Sequence, residues 1–260
     1  MEEAAGTGKC RELTPSKRNR YFTGKLLTAT DLAAEQSYHQ EKALRHNRYL
    51  HGYGVVCGLR VVPAQDRGDL ALIVEPGLAV DAWGREIVVA EPAALDLGEW
   101  ISQEQREDSD RPLSILVVVE YAEAEVEPVP VPAAPPAELG EAIAPSRTVE
   151  TFRLGLRSEA ERPEAGGEGP LWELVAEAVQ HGADAERLRE ILCETFSRPC
   201  PPCQADPAVT LARVKLPARG PLTREAIDNC SHRRLLLNTD HLLQVVLGLL
   251  AGLADANQES

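Results

Sequence analysis

The feature that most constrains the fold is a series of short alternating segments between residues 55 and 89. In the first segment, Val55, Cys57 and Leu59 occupy every second position. The turn residues are Asp66-Arg-Gly-Asp69, Pro76-Gly77 and Asp81-Ala-Trp-Gly84. Between the first two turns, Leu70, Leu72 and Val74 resume the alternation. This pattern predicts consecutive β-strands joined by tight turns, with Gly84 at a positive φ. We expect Val55, Cys57 and Leu59 to be buried together on one sheet face.

Further strands and several helices are predicted along the rest of the chain. The β-branched run 115–119 is typical of a central strand, and residues 152–156 and 209–216 also favour strands. A helix is predicted over 31–50, with Thr28 or Thr30 as its N-cap and Gly52 at its end. Helices over 172–182, 184–196 and 240–253 follow, and Asn238 or Thr239 caps the last one. Strands and helices do not alternate regularly, which predicts an α+β fold: a β-rich core of mostly antiparallel hairpins, with an N-terminal helix and C-terminal helices.

The N-terminal helix carries a mixed stripe at i, i+4, i+7 spacing. Its members are Leu32, Gln36, His39, Ala43, His46 and Leu50. A stripe of this composition predicts that the helix packs through it on a partly polar surface.

Composition divides the chain into four segments. We expect a flexible arm over 1–18, and the N-terminal helix with the β core over 19–122. A Pro-rich excursion over 123–146 should be extended and polyproline-like. Residues 147–260 should add a strand, helices, a cysteine cluster and the C-terminal helix to the same domain.

Charge argues against a nucleic-acid partner, since the formal net charge is −14 and such a partner requires a basic face. Residues 1–60 nevertheless carry 10 Lys and Arg against 6 Asp and Glu, so a basic segment precedes an acidic body. This asymmetry is either an ordinary solvated surface or a sign that the basic segment docks on the acidic body or on an acidic partner.

The N-terminus lacks the apolar stretch of a secretory signal, and the longest apolar run, 242–254, is shorter than the roughly 20 residues that span a bilayer. We therefore expect a cytoplasmic protein without a transmembrane segment. In a reducing compartment, cysteines are more often free thiols or metal ligands than disulfides.

Cys193, Cys200 and Cys203 form the sharpest chemical pattern in the chain. One hypothesis is a structural zinc held by these three cysteines, with Cys230 or His232 as the fourth ligand. A thioredoxin-like redox pair is disfavoured, because a helix precedes the two close cysteines instead of starting at them. Unpaired thiols in a loop beside the core are the remaining alternative.

Other motifs point away from catalysis. Gly52, Gly54 and Gly58 do not form a dinucleotide loop, because a helix precedes them and a strand follows. His39 and His46 lie about 10.5 Å apart along the helix axis, too far for one zinc, and are better interpreted as packing or hydrogen-bonding histidines. The sequence contains no nucleophile elbow, P-loop or His-Glu-x-x-His motif. We therefore predict a protein that is not an enzyme.

The C-terminal helix is apolar around nearly its whole circumference and includes Gly248 and Gly252 at i, i+4. A helix of this kind is buried on most sides, either in the core of its own domain or against another subunit. Val246 and Leu250 lie four residues apart and share one face.

Residues 19–62 resemble the opening of a family of small proteins found with bacterial phage-tail-like contractile injection systems. The matching positions are Tyr21, Phe22, Gly24, Lys25, Leu26, Leu27, Thr28, Asp31, Glu35, Gln36, Tyr38, His46, Asn47, Arg48, Leu50, His51, Gly52, Gly54, Val55, Val56, Cys57, Gly58 and Leu59. The likeness continues in patches: Pro76 to Asp81, Gly84 to Val89, Cys200 to Cys203 with 209–216, and Arg233-Arg-Leu235.

The resemblance implies a structural or assembly component of such a particle, at its baseplate, cap or membrane-attachment end. Its partners would be other particle proteins of the baseplate, tube, sheath or cap. Candidate contacts are the basic N-terminal segment and the last helix, represented by Tyr21, Phe22, Lys25, Arg48, Val246 and Leu250. The alternative is a cytosolic adaptor stabilised by zinc at the cysteine cluster.

Overall fold

The computed structural model describes residues 10, 13–98, 100, 114–131, 142–159, 171–217 and 220–258. The chain divides into two compact units: residues 1–159 with 204–260 form the larger, and residues 160–203 form the smaller. Of the predicted arm over 1–18, only residue 10 and residues 13–18 lie within the described part, and so do only the two ends of the Pro-rich excursion.

The first part of the larger unit is one helix followed by six short strands. Its elements are α1 (Ala29–His46), continued by a π-helix (Asn47–His51), then β1 (Gly54–Gly58), β2 (Val61–Pro63), β3 (Ala71–Val74), β4 (Gly77–Val80), β5 (Glu86–Val89) and β6 (Ala93–Asp96). Two long strands follow, β7 (Ser114–Val131) and β8 (Ala142–Ser158). The smaller unit contributes α2 (Leu171–Gln180) and α3 (Ala185–Phe196). The last elements are β9 (Val209–Lys215), β10 (Ile227–Asp228) and α4 (Thr239–Gln258).

The described strands form three antiparallel sheets, in the orders β1-β4-β5, β2-β3-β6 and β10-β9-β7-β8. The α+β prediction is confirmed, with an antiparallel β core, an N-terminal helix and C-terminal helices.

The predicted central strand 115–119 is the start of β7, which pairs with β8 on one edge and with β9 on the other. Ile115, Val117 and Val119 are fully buried, and Leu211 and Val214 of β9 join them in the core. Each such side chain contributes roughly 1.5–3 kcal/mol by leaving water. The β-branched run therefore forms the middle of the hydrophobic core.

Beyond residue 119, β9 ends and the paired strands β7 and β8 continue alone to Val131 and Ala142. We call residues 123–131 and 142–150 the outer ribbon. Most described side chains of the outer ribbon are exposed. The sequence predicted an extended, polyproline-like excursion here, and these described residues are extended and paired as strands. Pro128, Pro130 and Pro145 are compatible with this pairing, because each strand of a ribbon has an outer edge that needs no N–H donor.

Helix α1 begins at the predicted cap, since Thr28 and Asp31 form a reciprocal capping box. It passes into a π-helix and ends at Gly52, whose φ is 85°. The stripe predicted to pack, from Leu32 to Leu50 at i, i+4, i+7 spacing, is instead exposed at all six positions. The helix contacts the β core near its C-terminal end, around Leu44 and Asn47, through backbone and polar groups. The contact is therefore polar, as expected, but it does not use the stripe.

The turn between β4 and β5 makes that contact. Asp81 is fully buried and accepts hydrogen bonds from the backbone of Trp83 and Arg85 (both 2.9 Å) and from Arg85 Nε (2.6 Å). The Arg85 guanidinium also lies over the rings of Trp83 and Tyr121, at 4.5 and 4.7 Å from their centroids. Gly84 has a φ of 90°, which confirms the sequence prediction, and its carbonyl accepts a 3.0 Å hydrogen bond from Asn47 Nδ2.

The segment before α4 is tied to the first strand. The Val55 amide donates to the Arg234 carbonyl (2.8 Å) and the Leu236 amide donates to the Val55 carbonyl (2.9 Å), which makes a parallel bridge. Arg233 donates to the carbonyls of Gly58 and Leu59. The Arg233-Arg-Leu235 patch therefore connects the start and the end of the larger unit.

Strand β1 differs from the sequence prediction at one residue. Val55 and Leu59 are buried as expected, whereas Cys57 is exposed. The pairing of β1 with β4 shifts register between Val55 and Cys57. Such an irregularity breaks the two-residue alternation, so the side chain of Cys57 is turned to solvent.

In the smaller unit, the two predicted helices are confirmed. Asp184 caps α3 by accepting a 2.9 Å hydrogen bond from the Arg187 amide, and Gly182, with a φ of 75°, lies in the turn that follows α2.

The close approach of Gly84 to α1 generates a prediction. A Cβ at Gly84 would lie 2.2 Å from the Leu44 carbonyl oxygen, so Gly84→Ala should lower the free energy of unfolding by at least about 3 kcal/mol. Gly220→Ala is the matched control, because Gly220 has nearly the same positive φ as Gly84 (86° against 90°) but nothing within 4 Å of its Cβ position. The control should cost only about 1–2 kcal/mol in urea denaturation. Equal losses in the two variants would contradict the contact.

The exposure of Cys57 generates a second prediction. Cys57→Asp should change the free energy of unfolding by less than about 0.5 kcal/mol, because the new carboxylate stays in water. Leu59→Ala, two residues away in the core, should cost about 2–5 kcal/mol. Chemical denaturation of both variants checks this, and a large loss for Cys57→Asp would restore the buried assignment.

Candidate functional site

The segment before α1 is held against the first turns of the helix by polar contacts. Lys25 Nζ forms a 3.0 Å ion pair with Asp31, and Asn19 Nδ2 donates to the Asp31 carbonyl (2.6 Å). The Tyr21 hydroxyl donates to Glu35 (3.1 Å), and the Lys25 ammonium lies 5.4 Å from the centroid of the Tyr21 ring. Most of these residues belong to the patch that resembles injection-system proteins, and they give the segment a defined conformation.

Asp31 is the electrostatic centre of this network. Hydrogen bonds from Thr28 and Lys25 lower the pKa of Asp31 from 3.8 to about 2. Arg45 adds a second attachment, because its Nη2 donates to the Thr14 carbonyl and to Ser16 Oγ. The segment that begins at residue 14 is thus attached to α1 at two places, near the N-terminal end of the helix and near its C-terminal end.

The apolar residues of the same segment point to solvent. Phe22 is 67% exposed and Leu26 is 81% exposed, and Tyr21, Leu27 and Leu32 are also exposed. We call these five residues the N-terminal apolar surface. Exposed large apolar side chains this close in sequence make the surface a candidate interaction site. The polar contacts hold the segment in place while these apolar groups stay exposed.

The predicted contacts Lys25 and Arg48 are partly used within the chain. Lys25 pairs with Asp31, and Arg48 Nη1 donates to Cys10 Sγ (2.7 Å) in the chain that precedes α1. Both side chains therefore help to position the segment, and their role toward a partner stays a prediction.

Helix α4 provides a second exposed apolar surface. Val246 is 50% exposed, and the other large apolar side chains over 242–249 are exposed to a similar extent: Leu242, Leu243, Val245, Leu247 and Leu249. The N-cap is Asn238, whose Oδ1 accepts from the His241 amide (2.8 Å). The side chain of Leu250, the other predicted contact on this helix, lies outside the described residues. The described side chains of α4 are therefore not part of the hydrophobic core.

The outer ribbon is a third exposed surface. The sequence predicted an extended surface excursion here but not the pairing of its two strands. By register, Glu123, Glu125, Thr148 and Glu150 lie on one face, and Ala124, Val126 and Val149 lie on the other. Burial raises the pKa of Tyr121 at the base of the ribbon, and the neighbouring Glu123 and Glu150 carboxylates raise it further. Only the alternation of small apolar and acidic residues over 122–126 could have indicated a strand here.

The cysteine cluster does not form a metal centre within the described residues. Cys193, Cys200 and Cys230 are exposed free thiols, and Cys203 is disulfide-bonded. His232 Nε2 lies 3.3 Å from Glu159 Oε1. No group of three or more His, Cys, Asp or Glu among these residues lies close enough together to hold a metal ion. The zinc-stabilised adaptor therefore stays a hypothesis, and elemental analysis of the purified protein decides it.

In the part of the chain that the structure describes, none of the helices is both long enough and apolar enough to cross a membrane.

Comparison with known proteins gives a structural similarity but no family. No family model matches the chain, and no curated protein matches it. Among solved structures, it is similar to a chain of the type VI secretion system TssK-TssF-TssG baseplate subcomplex, determined by cryo-electron microscopy. The TM-score is 0.37 and the identity 14%, over 79% of this chain and 58% of that chain. The protein thus spans less than two thirds of the chain that it matches.

The network around Asp31 generates a pH prediction. Because the pKa of Asp31 falls from 3.8 to about 2, the contribution of Asp31 to stability is complete above pH 4 and is lost as pH falls through about 2. NMR titration of the Asp31 carboxyl should give a midpoint near 2. Thr28→Val removes the largest cause and should raise the midpoint toward 3.8, whereas Lys42→Met, further along α1, should leave it unchanged. A midpoint near 3.8 in the unsubstituted protein would show that the network is absent in solution.

Proposed function

We propose that the protein is a non-enzymatic structural or assembly component of a phage-tail-like contractile injection system, at its baseplate, cap or membrane-attachment end. It acts by docking on other particle proteins of the baseplate, tube, sheath or cap, in the cytoplasm and as part of the assembled particle. The observation that carries the proposal is the N-terminal apolar surface: the segment that resembles injection-system proteins is fixed by polar contacts and exposes Phe22 and Leu26.

The exposed surfaces of the protein support a role in binding other proteins rather than in catalysis. A stable interface buries about 800 Å² on each partner, with a few large apolar anchors near its centre. The N-terminal apolar surface supplies such anchors on a preordered segment, so little conformational entropy is lost on docking. Helix α4 and the outer ribbon add two more exposed surfaces, as expected of a component with several neighbours.

The proposal is tested with full-length variants in cells that assemble the particle. Phe22→Ser with Leu26→Ser should leave the melting temperature unchanged, because both side chains are exposed, and should weaken association with particles. Each lost anchor is expected to cost about 2 kcal/mol of binding, roughly 30-fold. Val88→Ser is the matched control, because Val88 is also an exposed apolar residue but lies on β5.

A second variant, Val246→Lys, applies the same assay to α4. Val246 is exposed, so the variant should stay folded, and reduced co-purification with particles would assign α4 to an interface. If the N-terminal double variant is incorporated as well as Val88→Ser, the N-terminal apolar surface is not the docking site. If the unsubstituted protein does not co-purify with particles at all, the proposed function is wrong.

A further inference from the structure

Two exposed histidines meet at the end of helix α1. The Nε2 atoms of His46 and His51 lie 3.1 Å apart, and their rings meet edge to face with centroids 4.9 Å apart. Both side chains are reached from solvent. The contact joins two residues five positions apart, a spacing that ordinary helical geometry does not bring together.

The π-helix explains the contact. On an α-helix, residues five apart point about 140° away from each other, so two histidines at this spacing would not meet. In the π-helix Asn47–His51, the Gly52 amide donates to the Asn47 carbonyl (2.9 Å), an i→i+5 bond. The wider turn places residues five apart above one another. The usual i, i+3 and i, i+4 rules for metal-binding histidines therefore overlook this pair.

Two neutral imidazoles whose Nε2 lone pairs face each other at this distance repel, unless a proton or a metal cation lies between them. We propose that His46 and His51 form a two-histidine site for a divalent transition metal that prefers imidazole ligands, such as Zn²⁺, Ni²⁺ or Cu²⁺. Tetrahedral coordination with metal–nitrogen bonds of about 2.0–2.1 Å requires nitrogens about 3.3 Å apart. The observed 3.1 Å needs an adjustment of only a few tenths of an ångström.

The site is open. Within the described residues, no third His, Cys, Asp or Glu joins the two histidines. A structural zinc site is closed by four protein ligands, so the remaining positions here belong to water or to an exchangeable ligand. His46 also belongs to the exposed stripe of α1, which leaves the metal accessible from solvent.

The competing explanation is a hydrogen bond, with one proton shared between the two rings. Metal binding requires both nitrogens to be unprotonated, whereas the hydrogen bond requires a proton on one of them. The two are separated by His51→Gln, because a glutamine amide can still donate a hydrogen bond to His46 but is a poor ligand for a transition metal.

The test is calorimetric titration of the full chain with Cu²⁺ at pH 7.5, after alkylation of the free thiols so that they do not compete. The unsubstituted protein should bind one equivalent whose electron paramagnetic resonance spectrum shows coupling to two nitrogens. His46→Ala, His51→Ala and His51→Gln should each weaken this binding by more than the roughly 10–100-fold that loss of an outer-shell partner causes. His241→Ala, which removes an exposed histidine on α4, should bind as the unsubstituted protein does.

Each outcome decides the proposal. Loss of the two-nitrogen signal in all three variants, with melting temperatures preserved in the absence of metal, supports the site. Binding unchanged in His51→Gln, a spectrum with one nitrogen, or no binding by the unsubstituted protein overturns it and leaves the hydrogen bond as the explanation.

Discussion

Over residues 115–119, β7 pairs on both edges, with β8 and with β9, and places Ile115, Val117 and Val119 in the core. The rest of the larger unit depends on this arrangement. β9 brings the chain after residue 208 back to the middle of the sheet, and β8 continues with β7 into the outer ribbon. An isolated two-stranded ribbon is marginally stable in water, so its anchored base is what allows it to extend into solvent.

The residues that resemble injection-system proteins have two distinct physical roles. One group holds the chain together: Asn47 donates to the Gly84 carbonyl, and Arg233 donates to the carbonyls of Gly58 and Leu59. Another group, with Phe22 and Leu26, has no burial of its own and stays exposed on an ordered segment. The first group fixes the position of α1 and of the segment before it. The second group is then exposed on a segment whose conformation is already fixed.

Local chemistry made much of the fold predictable. The capping box at Thr28, the positive φ at Gly84 and the β-branched run of β7 each follow from short-range rules, and each is found where expected. The predictions that failed depend on contacts between elements that are distant in sequence. A register shift interrupts the alternation in β1, so Cys57 is exposed, and no residue type in the segment predicts this shift. The stripe on α1 faces solvent, because carbonyl and amide groups near Leu44 and Asn47 make the contact with the sheet. The meeting of His46 and His51 depends on a π-helix that the α-helical period does not predict.

Helix α4 combines an attached start with one exposed apolar face. An amphipathic helix can be covered by a single surface, because only one face is apolar. At 100° per residue, the exposed apolar side chains fall within one arc of about 200°, and His241 and Gln244 lie on the remaining side. The members of the apolar arc are Leu242, Leu243, Val245, Val246, Leu247 and Leu249. A single groove can therefore cover all of them. The hydrogen bonds that join Val55 to Arg234 and Leu236 attach the segment before the helix to the β core, so the apolar face starts from a fixed point.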